Sequence, residues 1–302
     1  MPMLDLSVII LTYNEELHIA RCIDNVKSVA RYIFVVDSFS NDKTTEISKE
    51  QGAIVYQHKW ENNHSRQFNW ALDNLPIKTA WVLRMDADEY LTTELKEELQ
   101  ERLPTVPEGV SGVIFHRRYI FLGKWIRRGG CYPLDLLRLF RYGKANCEHR
   151  WMDEHMQVTE GETITFRHDF VDHNLNNISW WTNKHVGYAI REAVDLLDIE
   201  YNLFEDETHF SGHKGRQATR KRSLKASYAK QPLFLRSFAY FIYRYIFRMG
   251  FLDGQAGFLW HFLQGWWYRT LVDTKVLEIR KACGGNRQKM IGYLKDNYGI
   301  AV

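Results

Sequence analysis

The chain has 302 residues, 45% of them hydrophobic, with 40 Lys and Arg against 37 Asp and Glu for a net charge of +3. That length and apolar content are enough for a large packed core and argue against a disordered chain. Cys22, Cys131, Cys147 and Cys283 lack any Cys-x-x-Cys spacing, which argues against a disulfide framework or a zinc site and fits a reducing compartment.

Residues 6–11, Leu-Ser-Val-Ile-Ile-Leu, read as a buried strand with no basic leader before it, so the expectation is a cytosolic chain. After Thr12-Tyr13-Asn14-Glu15, the apolar residues Ile19, Ile23, Val26 and Ala30 recur at helical spacing. A second strand is expected over 32–36, a helix over 44–51, a strand over 53–56, a helix carrying Phe68, Ala71, Leu72 and Leu75, and a strand over 80–83. This alternation implies an α/β fold with a mostly parallel central sheet whose strand ends meet along one edge. Beyond Leu103 the pattern loosens, with strands expected over 112–121, 136–142 and 163–166, then an amphipathic helix marked by Val186, Ile190, Ala193, Val194 and Leu197.

The small net charge hides an asymmetry. Residues 1–207 hold 23 Lys and Arg against 33 Asp and Glu, whereas residues 208–302 hold 17 against 4. Between Thr208 and Leu252 there is no acidic residue, while aromatic residues crowd in from Phe234 to Trp267. A boundary is therefore expected near residue 206.

Chemistry concentrates where the expected strands end. Asp86-Ala87-Asp88-Glu89 places two carboxylates one residue apart, hard oxygen ligands at the sheet edge where open α/β folds bind their substrates, and such ligands suit Mg²⁺ or Mn²⁺ carrying a diphosphate. In isolation a solvated acidic turn is the better explanation of that triplet. Thr12-Tyr13-Asn14-Glu15 has the spacing of a capping box. Asp37, directly after Val35-Val36, can accept hydrogen bonds from a base or ribose. Arg138, flanked by Leu137 and Leu139, can pair with a diphosphate or an anionic acceptor.

Taken together, residues 7–16 (Ser-Val-Ile-Ile-Leu-Thr-Tyr-Asn-Glu-Glu), Val35-Val36-Asp37-Ser38 and Asp86-Ala87-Asp88-Glu89 resemble a family 2 glycosyltransferase of the GT-A fold. Within that family the chain is most similar to the bacterial lipopolysaccharide-core and envelope polysaccharide group. The resemblance implies that Thr12, Tyr13, Glu15 and Asp37 line the nucleotide, and that Arg66 and Asn69 lie near its phosphate or ribose. It also implies that Asp88 is the main metal ligand, with Asp86 on ribose or on the metal through water. A late histidine often joins the metal or diphosphate in this family, which points to His173, with His168 and His155 as competitors. Residues 1–206 become the catalytic domain, 1–103 its nucleotide-sugar half and 104–206 its acceptor half, followed by a helical region over 207–302.

Inverting sugar transfer needs one carboxylate to take the acceptor proton. In His149-Arg150-Trp151-Met152-Asp153-Glu154-His155, register with the related enzymes favours Glu154, then Asp153. The reaction implied is transfer of a hexose from a nucleoside diphosphate sugar, a UDP-sugar foremost, to a lipid-linked or lipopolysaccharide-core saccharide. The basic, aromatic tail reads as a membrane-associating surface on the inner face of the cytoplasmic membrane, the rival readings being packed core or an oligomer contact. Two other functions compete: a metal-dependent nucleotidyltransferase, which wants a glycine-rich phosphate loop after the first strand, and a noncatalytic membrane or nucleic-acid binder. The acidic body argues against nucleic acid.

Overall fold

The computed structural model describes residues 3–61, 63–148, 155–204 and 228–300. They form two compact units, the first running to residue 127 with 131–176, the second comprising 128–130 and the chain from 177 onward.

The first unit alternates β1 (Leu6–Thr12), α1 (Ile19–Val26), β2 (Tyr32–Asp37), α2 (Thr44–Glu50), β3 (Ile54–Gln57), α3 (His64–Asn74) and β4 (Trp81–Asp86). There follow β5 (Glu89–Leu91), α4 (Thr93–Arg102), β6 (Val110–Phe121), β7 (Lys124–Trp125), β8 (Asp135–Arg141), β9 (Ala145–Cys147), β10 (Met156–Val158) and β11 (Glu162–Asp172). The main sheet has the order β3-β2-β1-β4-β8-β6-β11-β5, with β7 on β6. β1 to β4 are mutually parallel and β6 runs parallel to β11, while β8 and β5 are antiparallel to their neighbours.

Helices on both faces explain why the first strands are continuous apolar runs rather than alternating ones. On one face Val8, Ile10, Val35 and Leu83 pack against Ile19, Ile23 and Val26 of α1 and Leu95 and Leu99 of α4. On the other, Ile9, Phe34, Val36 and Val82 meet Phe68 and Ala71 of α3. The helices start where capping dictates: Asn63 accepts from the Arg66 amide at 2.9 Å and Thr92 from the Leu95 amide at 3.2 Å.

Two strands differ from expectation. β4 extends to Asp86 itself, and β11 runs to Asp172 rather than stopping at Phe166. The reason for the second is an irregularity between Thr165 and Asp169, where the Arg167 and His168 amides bond the Glu98 carboxylate instead of a neighbouring strand. Polar residues there interrupt the apolar pattern without ending the strand.

In the second unit, α5 (Ile178–Tyr201) packs on α8 (Tyr268–Cys283), with α6 (Leu235–Ile242), α7 (Gly254–Trp260) and α9 (Arg287–Tyr298) completing the labelled helices. The division between units therefore falls at Asn177, ahead of α5, rather than near residue 206. The cause is the buried face of α5: Glu192 accepts from the Tyr268 hydroxyl at 2.7 Å and pairs with Arg269, and Trp181 packs near Trp260 and Trp267. Among the described residues no helix is long and apolar enough to cross a membrane.

Candidate active site

Parallel register brings the ends of β1, β2 and β4 level. Leu11 lies opposite both Val36 and Asp86, and Thr12 lies opposite Asp37. The Asp37 carboxylate is fully buried and accepts from Thr12 Oγ1 at 3.1 Å, the Ser40 amide at 2.8 Å and Ser40 Oγ at 2.5 Å. A carboxylate has about four acceptor positions, so about one remains for a ligand once the turn is held.

The loop after β1 is tied to the loop after β2. Asn14, in the left-handed region at φ +55°, donates its amide to Ser40 Oγ and accepts from the Asn41 amide, both at 2.8 Å. The Glu15 amide donates to Thr44 Oγ1 at 2.7 Å. No capping box forms, because α1 begins only at Ile19. Instead the Glu15 carboxylate meets His18 Nδ1 at 2.6 Å, and His18 Nε2 accepts from the Leu175 amide at 2.9 Å. That second bond requires the proton on Nδ1. Glu15 thus braces the chain beyond β11, while Tyr13 stands exposed.

The acidic centre lies at the end of β4. Arg138, buried in β8, donates to Glu89 Oε1 at 2.5 Å and to Asp86 Oδ2 at 3.2 Å. Glu89 Oε2 accepts from the Asp86 amide at 2.9 Å, closing the Asp86–Glu89 turn. Burial opposes ionisation of Asp86, yet Arg138 and Arg84 outweigh it and hold its carboxyl well below the usual carboxylate range. Glu89 behaves oppositely: burial, with Asp86 and Asp172 nearby, pushes it up despite Arg138. Asp172 is pushed up to about 7 by burial and by the Asp88 and Asp86 carboxylates, against the opposing pull of Arg117, which is 3.2 Å away.

Asp88 sits beside β11. Its Oδ2 accepts from Asn174 Nδ2 at 2.9 Å, and its carbonyl accepts the His173 amide at 3.1 Å and Arg21 Nη2 at 2.9 Å. Arg21 Nη2 also donates to the His173 carbonyl at 2.6 Å, so one guanidinium from α1 pins both residues. Burial, Arg21 and His18 lower the His173 pKa, which favours the neutral imidazole.

The structure links Asp86 with Arg138 and Asp88 with His173, and gives two other expected residues different partners. Arg66 is exposed near Glu61, at 3.7 Å. Asn69 donates to the Cys147 carbonyl and accepts the Cys147 amide, both at 2.8 Å, which fastens α3 to β9. Asp153 and Glu154 lie outside the described residues. The flanking chain is held: β9 pairs with β10, and the His155 and Gln157 side of that pair donates to the buried Glu148 carboxylate. Arg21, Glu89, Arg117, Asp172 and Asn174 were not singled out from the sequence. Only Glu89, adjoining Asp88, carried a signal there.

The sequence profile of glycosyl transferase family 2 matches residues 7–169, more than half of the chain. The protein belongs to that family. Its sheet and helices are those of the expected GT-A type of α/β fold, with the helical region following it. An uncharacterised glycosyltransferase of Rickettsia bellii is 37% identical over 68% of this chain and 60% of its own. The lipopolysaccharide core biosynthesis glycosyltransferase LpsC of Rhizobium meliloti is 30% identical over 48% of this chain and 53% of its own. The chain spans less than two thirds of the length of these relatives. Glucosyl-3-phosphoglycerate synthase from Mycobacterium tuberculosis, solved with Mn²⁺, UDP and glucosyl-3-phosphoglycerate, aligns over 38% of this chain and 44% of its own, at 21% identity and a TM-score of 0.32. So loose a superposition transfers no residue role.

Proposed function

We propose that this glycosyltransferase moves a hexose, with inversion, from a nucleoside diphosphate sugar, a UDP-sugar foremost, to a lipid-linked or lipopolysaccharide-core saccharide. The observation that carries the reading is the alignment, within one residue, of Thr12, Asp37 and Asp86 at one sheet edge, with Asp88 two residues beyond Asp86. In this reading the remaining acceptor position of Asp37 takes a base or ribose hydrogen bond, with Thr12, Tyr13 and Glu15 shaping the nucleotide pocket and Arg66 and Asn69 at its border.

The donor set suits Mg²⁺ or Mn²⁺. Mg²⁺ is usually held by one or two carboxylates plus substrate phosphates and water, and the Asp86-Ala87-Asp88 turn offers such a pair. Asp88 would hold it first, then Asp86, with His173 as a neighbouring donor. Among the described residues no three such side chains converge into a ready-made cage, so donor phosphate oxygens would complete the shell. When bound, the ion supplies charge neutralisation for the departing diphosphate. Arg138 adds a fixed positive charge at the same strand ends. Glu154, or failing that Asp153, takes the acceptor proton.

A lipid-borne acceptor requires access to a surface, and the basic run over 208–252 suits attachment to the inner face of the cytoplasmic membrane. The test of the reaction is a panel of nucleotide sugars, each assayed for thermal stabilisation with and without divalent cation. One donor should raise the melting temperature only with metal, by about 2.7 kcal/mol of added stability at a hundred times its Kd. A panel in which no donor gives a metal-dependent shift overturns the reading.

A further inference from the structure

We propose that the second unit carries a preformed apolar corner, residues 243–258, that inserts into the headgroup layer of an anionic bilayer. The inference rests on the membrane reading above and names where and how contact is made. After α6 the chain makes a π-helical turn, Tyr243–Phe247, passes through Met249 at φ +56°, makes a 3-10 turn, Gly250–Asp253, and enters α7. This reversal leaves Ile246, Phe247, Met249, Phe251, Leu252 and Phe258 exposed, Phe247 at 73% and Leu252 at 53%. Single exposed apolar residues need no explanation, but six large ones on one short reversal do.

The charge around them selects the occupant. Arg248 and Arg128 are exposed, whereas the acidic residue of the corner, Asp253, is buried and accepts the Arg128 amide at 2.7 Å. From Tyr228 to Tyr268 no other acidic residue occurs. Apolar side chains rimmed by cations complement anionic lipid, where the rings and aliphatic groups enter the acyl boundary and the guanidinium meets phosphate. A symmetric contact between two copies would instead bring like charges together around the same apolar set.

The corner is rigid before it meets anything. The Gly129 amide donates to the Arg248 carbonyl at 3.0 Å, and Arg244 Nε donates to the Gly129 carbonyl at 2.8 Å. The buried His261 ring fills a slot between Gly129 and Gly250, where an added Cβ would come within 2.0 Å and 2.4 Å of it. Tyr245 supports the turn from below, stacked on Phe241 and edge-on to Phe251 and Phe258. Insertion therefore orders little that is not already ordered.

The experiment is flotation of the full chain with vesicles of phosphatidylcholine and phosphatidylglycerol, at low and high salt. It compares wild type, a corner variant (Phe247→Ser, Met249→Asn, Leu252→Ser) and a charge variant (Arg220, Lys221, Arg222 and Lys225 to Glu). The corner variant should keep the wild-type melting temperature, since the altered side chains are exposed, yet lose about tenfold or more of the salt-resistant binding. The charge variant should lose mainly the salt-sensitive part. A corner variant that floats like wild type at high salt overturns the corner and leaves the membrane reading standing. Wild type that floats under neither condition removes both. A wild-type dimer that the corner variant converts to monomer assigns the surface to a second copy and likewise overturns the proposal.

Discussion

In the second unit, cations meet carboxylates on opposing helices: Arg236 with Asp273 at 2.6 Å, both buried, and the partly exposed Arg269 with the buried Glu192. In the first unit the buried Arg138 faces both Asp86 and Glu89, the buried Arg84 also favours the charged form of Asp86, and the Asp88 and Asp86 carboxylates raise the cost of ionising Asp172. Carboxylates are paired one to one in those helices, whereas at the strand ends Asp86 and Glu89 share one guanidinium. A closed ion pair inside a helical packing is structural, whereas carboxylates clustered around shared cations at parallel strand ends mark a place for a charged ligand. In the second unit the exposed charge lies beside exposed aromatic residues, where it suits a surface rather than a substrate.

The sharpest challenge to that contrast is to remove one cation from each unit. Arg138→Met and Arg236→Met should each cost about 3–5 kcal/mol of stability in urea unfolding, because each leaves a buried carboxylate without its partner. Only Arg138→Met should also abolish donor binding by the folded fraction, measured by calorimetry. Equal loss of donor affinity in both variants would erase the distinction.

Asp88→Asn should lower turnover by about a hundred- to a thousandfold, the range seen when electrostatic stabilisation of a reacting group is lost, with the melting temperature nearly unchanged. Near-normal turnover at saturating Mn²⁺ or Mg²⁺ would remove Asp88 from the site. Glu154→Gln should retain donor affinity and lower transfer by roughly a hundredfold, with Asp153→Asn milder. If single-turnover assays rank them the other way, Asp153 is the base.

The smallest effect concerns acid. Burial lowers the pKa of His185 to about 4 and of His261 to about 3, both in the second unit. A histidine whose folded pKa is depressed contributes stability that is fully present above its unfolded value of about 6.5 and is lost as pH falls toward the folded one. Melting temperature should therefore drop by several degrees between those limits, and His185→Gln should flatten part of that slope. An unchanged slope in the variant would show that acid acts elsewhere.

Much of the first unit was legible because parallel strands buried on both faces leave apolar runs that end abruptly in Thr12, Asp37 and Asp86. Fixed βα alternation then implies that those ends share an edge. Less local features were hidden. Glu15 looks like a capping residue or a nucleotide contact, but its partner His18 is oriented by Leu175, which is distant in sequence. Asn69 looks like one polar position on a helix, and only the arrival of β9 makes it a backbone clamp.

The sequence by itself determined the α/β class, the family and the strand-end carboxylates, since periodicity and short motifs are local properties of the chain. Tertiary structure decided that α5 joins the second unit, that Arg21 pins Asp88 to His173, and that the aromatic residues from Tyr243 to Phe258 divide into a half-buried support and an exposed corner. These depend on which faces meet. Hydrophobic burial and hydrogen-bond pairing are settled between segments far apart in the chain, and no window along it contains both partners.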